Sequence, residues 1–194
     1  MRALNEGLVR CAASGRDGLA WPMALVVIYG VPLVIFGASR ISSPRFILGS
    51  LVLAISLIAL SEIDRKTFRL PDLITIPLML VGILAVATTG EGMLWQCFSA
   101  ALGLALMLLV DQVYRAWRGI SGIGRGDAKL FAASGAWLGA HALPVVLLSA
   151  CASALLVLLA AHMLGRRLEA RTAIPFGPFL AFGTWLVWCL GPLP

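Results

Sequence analysis

The sequence predicts an all-α, polytopic membrane protein of about seven transmembrane helices, in which a six-helix core follows one N-terminal helix. Of the 194 residues, 60% are hydrophobic and only 12% are charged, and the mean hydropathy is +0.97. A soluble domain of this length needs far more polar surface. Apolar runs of about 18–25 residues alternate with short charged clusters, and such runs must be helical in lipid.

The predicted spans follow these apolar runs. They are approximately residues 21–38, 46–63, 72–89, 93–114, 127–143, 144–164 and 174–190. The fifth is short and rich in Ala and Gly, which predicts that it packs inside the bundle. We divide the chain into residues 1–45, a cytoplasmic tail with the first helix and its loop, and residues 46–194, the main membrane domain.

The basic residues predict the orientation. With the N-terminus inside the cell, 13 of the 15 lysines and arginines fall on inside segments, and only Arg40 and Arg45 lie outside. This bias is typical of cytoplasmic loops. The same count places Asp64 and Asp127 at one cytoplasmic face. Because the membrane explains the net charge of +6 and the pI of 9.8, we predict no nucleic-acid binding.

The cysteines and histidines show no ligand pattern. Cys11, Cys97, Cys151 and Cys189 form no C-x-x-C pair, and the two histidines have no companions at ligand spacing. Cysteines of this kind ordinarily act as small apolar side chains. We therefore predict no metal and no cofactor.

Asp127 follows the alternating glycines Gly122, Gly124 and Gly126. Glycines let the backbone approach another segment closely and adopt a positive φ. Asp127 is expected to begin the next helix, where it can cap backbone amides. Capping alone would need neither three glycines nor Lys129, so a catalytic role competes with it. The sequence leaves open whether the glycines hold Asp127 or let it move.

Asp64 is expected to close the second span, directly before Arg65 and Lys66. The helix dipole disfavours a carboxylate at that end, which indicates another role. Like charges a few ångströms apart do not both ionise readily, so one of two carboxylates can keep its proton. The ionised partner can then activate water while the protonated partner polarises a peptide carbonyl. Asp64 and Asp127 are the predicted dyad.

Three other carboxylates near the predicted membrane boundaries have simpler expected roles. Glu62 lies on a different helix face from Asp64. Asp72 follows a proline and is expected to cap the third span. Asp111 precedes Arg115 by one turn, which predicts an ion pair within the helix.

Three motifs resemble those of the bacterial type IV prepilin peptidases. They are Ile63-Asp64 with the later Leu70-Pro71-Asp72-Leu73-Ile74-Thr75-Ile76-Pro77-Leu78, then Gly124-Arg125-Gly126-Asp127-Ala128-Lys129-Leu130, and finally Ile174-Pro175-Phe176-Gly177-Pro178. The resemblance covers about residues 46–192. It implies an aspartic peptidase, embedded in the lipids of the bacterial inner membrane, that removes the leader of prepilins or pilin-like pseudopilins.

The motifs also imply roles for individual residues. Asp64 and Asp127 take the two catalytic positions. The supporting residues of the motifs are Pro71, Asp72, Gly124, Gly126 and Lys129. Many members of the family carry a cytoplasmic domain with paired C-x-x-C motifs, which is associated with N-methylation. This chain has no C-x-x-C pair, and only about seven residues separate its first two predicted spans, so we expect a peptidase without methyltransferase activity. The short form also resembles the peptidases of Tad-type pili and archaeal preflagellins.

Three alternatives stay open. Proteases of the presenilin or signal-peptide-peptidase type also use G-x-G-D, but their Tyr-Asp pair and Pro-Ala-Leu motif are missing here. A proton-coupled transporter would place its carboxylates near the membrane midplane rather than at one face. An inactive assembly factor would need neither aspartate. The sequence predicts no particular oligomeric state.

Overall fold

The computed structural model describes residues 29–35, 44–87, 92–119, 124–164 and 175–191. Within these ranges the chain is helical and contains no strand. The helices are α1 (Pro44–Thr67), α2 (Asp72–Ala87), α3 (Met93–Arg118), α4 (Arg125–Leu138), α5 (Leu143–Met163) and α6 (Gly177–Leu190), with a 3₁₀ turn at Ala140–Ala142 and a helical segment at 29–35. The predicted all-α class is confirmed.

Three of the described segments are long and apolar enough to cross a membrane. They are Pro44–Thr67, Met93–Arg118 and Ala140–Met163, while α2 and α6 are apolar but shorter. Large apolar side chains also cover much of the outer surface, as at Leu73 and Leu94, which are 85% and 86% exposed. Lipid is the natural cover for such a surface. The chain is a multi-pass membrane protein.

Helix α4 lies at the centre of the bundle, packed against α2, α3 and α6. Nine of its 14 residues are buried. Small residues bring α3 very close, because a Cβ on Gly135 would overlap the carbonyl oxygen of Ser99 and one on Gly103 would lie 2.9 Å from that of Phe131. The prediction that the Ala- and Gly-rich span packs inside is confirmed.

Indole N–H groups join the central helices to their neighbours. The Nε1 of Trp137 on α4 donates to the carbonyl of Leu78 on α2 at 2.8 Å. The Nε1 of Trp185 on α6 donates to the carbonyl of Tyr29 at 2.8 Å. Both bonds are buried, so each satisfies a polar group that lipid could not. The segment 29–35 is thereby attached to α6.

The predicted helix ends need correction. Helix α1 continues to Thr67, so the predicted end at Ile63 is wrong and Asp64 does not close the helix. The cations Arg65 and Lys66 lie in its last turn, where they suit the helix dipole. Helix α3 likewise runs to Arg118 rather than 114.

The fifth predicted span is also displaced. Helix α4 begins at Arg125 rather than 127 and ends at Leu138. The break falls at Gly139, whose φ of 82° favours glycine, and the 3₁₀ turn follows before α5. Of the first predicted span, 21–38, only residues 29–35 are among the described residues, and these are helical.

Candidate active site

Asp64 reaches the site from the last turn of α1. Its side chain is buried, with 5% of the residue exposed. The amide of Gly177, the first residue of α6, donates to Asp64 Oδ2 at 3.0 Å. A carboxylate in so little water needs such a donor. Asp64 is therefore held between α1 and the start of α6.

Asp127 reaches the site from the first turn of α4 and is partly buried. Burial and the neighbouring charge of Asp64 raise the pKa of Asp127 from 3.8 to about 6, although a backbone hydrogen bond from Gly124 acts in the opposite direction. Gly124 is the N-cap residue of α4. A carboxylate at the third helical position that accepts from the N-cap amide forms half of a capping box. Asp127 thus both caps α4 and faces Asp64.

The two aspartates share a cavity of about 260 Å³. It opens at the end of the bundle where α1 ends and α2 and α4 begin. The lining residues are Asp64, Phe68, Arg69, Leu70, Asp72, Gly124, Arg125, Gly126, Asp127 and Lys129. Charges of both signs therefore surround a space large enough for a short piece of backbone and a water molecule.

Lys129 and Asp72 lie at the rim of this cavity and join α4 to α2. The ammonium of Lys129 donates to Oδ1 of Asp72 at 2.5 Å. Asp72 is the first residue of α2, where an acidic side chain suits the helix dipole, and its carboxylate binds Lys129. That Asp72 caps the helix stays a prediction. Asp72 therefore binds a cation, whereas Asp64 accepts a backbone hydrogen bond from Gly177.

Of the glycines before Asp127, Gly126 allows a close approach to another segment, and neither Gly124 nor Gly126 has a positive φ. Gly124 has a φ of −67°, and Gly126 lies within α4. A Cβ on Gly126 would lie 2.8 Å from Cβ of Leu70 and 3.2 Å from its nitrogen. The expected positive φ is wrong for both residues, and the expected close approach to another segment is confirmed for Gly126 alone. Gly122 lies outside the described residues.

The loop between α1 and α2 forms the remaining wall. Phe68 has a φ of 53°, is 54% exposed, and lines the cavity. A bulky residue in the left-handed region is a genuine outlier. Pro71 ends the loop, and its carbonyl accepts from the amides of Ile74 and Thr75 at the start of α2.

Comparison with known proteins agrees with this geometry. The chain matches the model of the type IV leader peptidase family over residues 51–159, which is more than half of its length. The chain belongs to the type IV leader peptidase family. The matched region contains Asp64, Asp127 and the whole lining of the cavity. No solved structure matches the chain.

Curated relatives from several bacteria carry the name prepilin leader peptidase/N-methyltransferase. The relative from Burkholderia pseudomallei strain 1026b is 38% identical over 152 residues, covering 78% of this chain and 47% of that protein. The relative from Neisseria gonorrhoeae is 36% identical over 162 residues, covering 83% and 53%. The relative from Pseudomonas aeruginosa is 35% identical over 142 residues, covering 70% and 47%. The chain spans about half the length of these relatives.

The type IV leader peptidase fold brings most of the sequence-predicted site residues to one cavity. Its lining includes Asp64, Asp72, Gly124, Gly126, Asp127 and Lys129, and Pro71 adjoins it. The other two carboxylates behave as expected, since Glu62 pairs with Arg65 and Lys66, and Asp111 pairs with Arg115 at 2.8 Å.

Sequence reasoning missed two contributors to the site. Gly177 was assigned only to a motif, although its amide contacts Asp64. Phe68 was not singled out, because a left-handed residue at a helix end leaves no clear pattern in sequence. Among the described residues, no three His, Cys, Asp or Glu side chains lie together as metal ligands would. The absence of a metal or cofactor stays a prediction.

Proposed function

We propose that this chain is a membrane aspartic endopeptidase that cleaves the leader from type IV prepilins or pilin-like pseudopilins. One observation carries the proposal: Asp64 and Asp127 come from different helices to one cavity, where burial and then the charge of Asp64 raise the pKa of Asp127. Paired carboxylates that differ in proton affinity are the arrangement that acid–base hydrolysis requires. Family membership and the names of the relatives support the substrate class.

In the proposed reaction, one proton is shared between two carboxyl groups. The ionised carboxylate accepts a proton from water as the water oxygen bonds to the peptide carbonyl carbon. The protonated partner donates its proton to the carbonyl oxygen, which gives a neutral diol. When the C–N bond breaks, the carboxyl group that took a proton from water gives it to the leaving amine. A hydroxyl of the diol gives its proton to the other carboxylate, so the product is a carboxylic acid and the dyad again holds one proton. Burial, together with the charge of Asp64, raises the pKa of Asp127 to about 6, so the pair retains a proton more readily than two solvated aspartates would.

We further propose that the cavity faces the cytoplasm, at the inner membrane. Helices α3 and α4 run antiparallel, since Gly103 lies beside Phe131 and Gly135 beside Ser99. The end of α3 therefore lies at the cavity end of the bundle. Of the eight lysines and arginines in the described ranges, all but Arg45 belong to this end. A bias of this kind supports a cytoplasmic location.

Co-expression with a type IV prepilin tests the activity. Asp64→Asn and Asp127→Asn should each abolish the change in gel mobility that marks the processed product, while the protein still inserts. Asp72→Asn is the matched control, because Asp72 lines the same cavity but pairs with Lys129. It should retain most processing. If Asp72→Asn abolishes processing and Asp64→Asn does not, the first catalytic role belongs to Asp72.

We also propose that the chain does not methylate the new N-terminus. The proposal rests on the absence of a C-x-x-C pair in its sequence and on the short interval between the first two predicted spans. The mass of a mature substrate processed by this chain alone tests it. A gain of about 14 Da, one methylene group, would contradict the proposal.

A further inference from the structure

We propose that Gly177 is a positioning residue for Asp64. Its backbone N–H fixes the carboxylate, and its lack of a side chain provides the space that the carboxylate occupies. The inference rests on the proposed function, in which Asp64 is one member of the catalytic pair. It extends the site to α6, a helix that contributes no charged side chain within Gly177–Leu190.

The hydrogen bond meets two needs at once. The amide of Gly177 donates to Asp64 Oδ2 at 3.0 Å, and the bond is buried. Gly177 is the first residue of α6, and the first amides of a helix have no partner within it. The partial positive charge of a helix N-terminus also favours a carboxylate. Because the bond engages Oδ2, it leaves Oδ1 of Asp64 available for other contacts.

The missing side chain matters as much as the amide. A Cβ on Gly177 would lie 2.6 Å from Asp64 Oδ2, 2.9 Å from its Cγ and 3.1 Å from its Cβ. Contacts below 3.0 Å require one partner to move. Asp64 is only 5% exposed, so its side chain is packed on most sides. Any side chain at position 177 would therefore displace the carboxylate from its present place.

Backbone conformation does not explain this glycine. The glycines with positive φ among the described residues are Gly119, Gly139 and Gly191. Gly177 is not one of them, and it begins a helix, where most residues are accepted. Close approach to Asp64 is the requirement that remains.

Loss of the Gly177 hydrogen bond should change how the dyad titrates. An amide that donates to a carboxylate favours its ionised form. The other charged groups that line the cavity with Asp64 come from α2, α4 and the loop between α1 and α2, and none of them belongs to α6. They are Arg69, Asp72, Arg125, Asp127 and Lys129. Glu62 and Arg65 belong to α1 itself and form a pair.

The first test compares Gly177→Ala with Gly183→Ala on the same helix. A Cβ on Gly183 would lie 2.6 Å from the carbonyl oxygen of Val146, which is the same distance as the shortest contact of a Cβ on Gly177. The overlap at Gly183 does not involve Asp64. Cleavage of a purified prepilin by each variant in lipid nanodiscs is measured over a range of pH, and each rate is divided by the amount of folded protein. Gly177→Ala should lower kcat by about tenfold or more with little change in KM. The acid limb of its plot of kcat against pH should move to higher pH by about half a unit. Gly183→Ala should keep the wild-type acid limb.

Equal pH profiles in the two variants, or a wild-type kcat for Gly177→Ala, would overturn the inference. The outcome is separable from that of the proposed function. If Asp64→Asn still processes prepilin, the dyad itself is wrong. If Asp64→Asn is inactive while Gly177→Ala behaves as wild type, only the role of Gly177 fails.

A second measurement needs no substitution at Gly177. The sequence contains three Phe–Gly pairs, ending at Gly37, Gly177 and Gly183. Labelling Phe carbonyl carbon and Gly nitrogen selects these three amides in an NMR spectrum of the full chain. One amide should shift with pH in the wild type and stay constant in Asp64→Asn. A spectrum in which no Phe–Gly amide titrates, or in which Asp64→Asn does not alter the titration, would contradict the hydrogen bond.

Discussion

The ammonium of Lys129 lies 2.5 Å from a carboxylate oxygen of Asp72, which joins α4 to α2 at the rim of the cavity. The two side chains are 40% and 56% exposed, so solvent screens the attraction. Exposed pairs of this kind contribute about 0–1 kcal/mol to stability. The contact therefore matters more for where the two helix ends lie than for how firmly the protein folds.

A double-mutant cycle on this ion pair should give a small coupling energy. From Asp72→Asn, Lys129→Gln and the double variant we expect a coupling energy of about 0.5 kcal/mol, which decreases in high salt. The stability of the wild type and the three variants is measured by thermal unfolding in detergent. A coupling above about 2 kcal/mol would indicate a pair that is shielded from solvent.

Asp127→Asn should stabilise the protein at neutral pH. The pKa of Asp127 is raised to about 6 from 3.8, so the folded state favours the protonated carboxyl. The stability associated with this proton is complete at low pH and is lost as the pH rises through about 6. We expect the variant to exceed the wild type by about 1–2 kcal/mol at pH 7.5, which is less than a two-unit shift implies because the group is partly exposed. Thermal unfolding of both proteins at pH 7.5 and near pH 4 measures the difference in stability.

Low pH provides the control for the comparison of Asp127→Asn with the wild type. Near pH 4 the carboxyl of Asp127 is largely protonated in the folded wild type, so wild type and Asp127→Asn should be about equally stable there. A difference between the two proteins that does not change with pH would contradict the assigned titration.

Gly126→Ala should destabilise the protein and reduce processing. The added Cβ would lie 2.8 Å from Cβ of Leu70, and Asp127 is the next residue. Overpacking of this kind costs about 1–3 kcal/mol. Gly30→Ala is the matched control, because nothing lies within 4 Å of the Cβ it adds. If both variants unfold at the same temperature, the contact of Gly126 with Leu70 is not tight.

Phe68→Gly should be more stable than Phe68→Ala. The φ of 53° at Phe68 suits glycine and strains other residues by about 1–2 kcal/mol. Both variants remove the ring, so the difference between them isolates the backbone strain. We expect about 1 kcal/mol in favour of glycine, measured by thermal unfolding. Equal stability would place the strain elsewhere in the loop.

Those features that depend on nearby residues could be predicted from the sequence. The apolar runs locate six helices within a few residues, and the spacing of Asp111 and Arg115 predicts their ion pair. The predicted helices also place Asp64 near the end of α1 and Asp127 near the start of α4. Helix ends are less certain, because capping and tertiary contacts decide the last turn, as the extension of α1 to Thr67 illustrates.

Contacts between distant residues could not be predicted in this way. The Gly177–Asp64 bond spans 113 residues and the Lys129–Asp72 bond spans 57. Neither follows from periodicity or local propensity, since each joins two helices that are distant in sequence and depends on how those helices pack. The motifs predict that Lys129 supports the site and include Gly177, but they do not indicate what either residue contacts.

The burial of α4 also bears on how the protein enters its membrane. Helix α4 is short, contains Asp127 and Lys129, and is rich in small residues, so it would partition weakly into a bilayer by itself. The apolar α3 precedes it closely in sequence and packs against it through Gly135 and Gly103. We expect the insertion machinery to receive α3 and α4 as a helical hairpin, in which α3 carries Asp127 to its depth in the membrane.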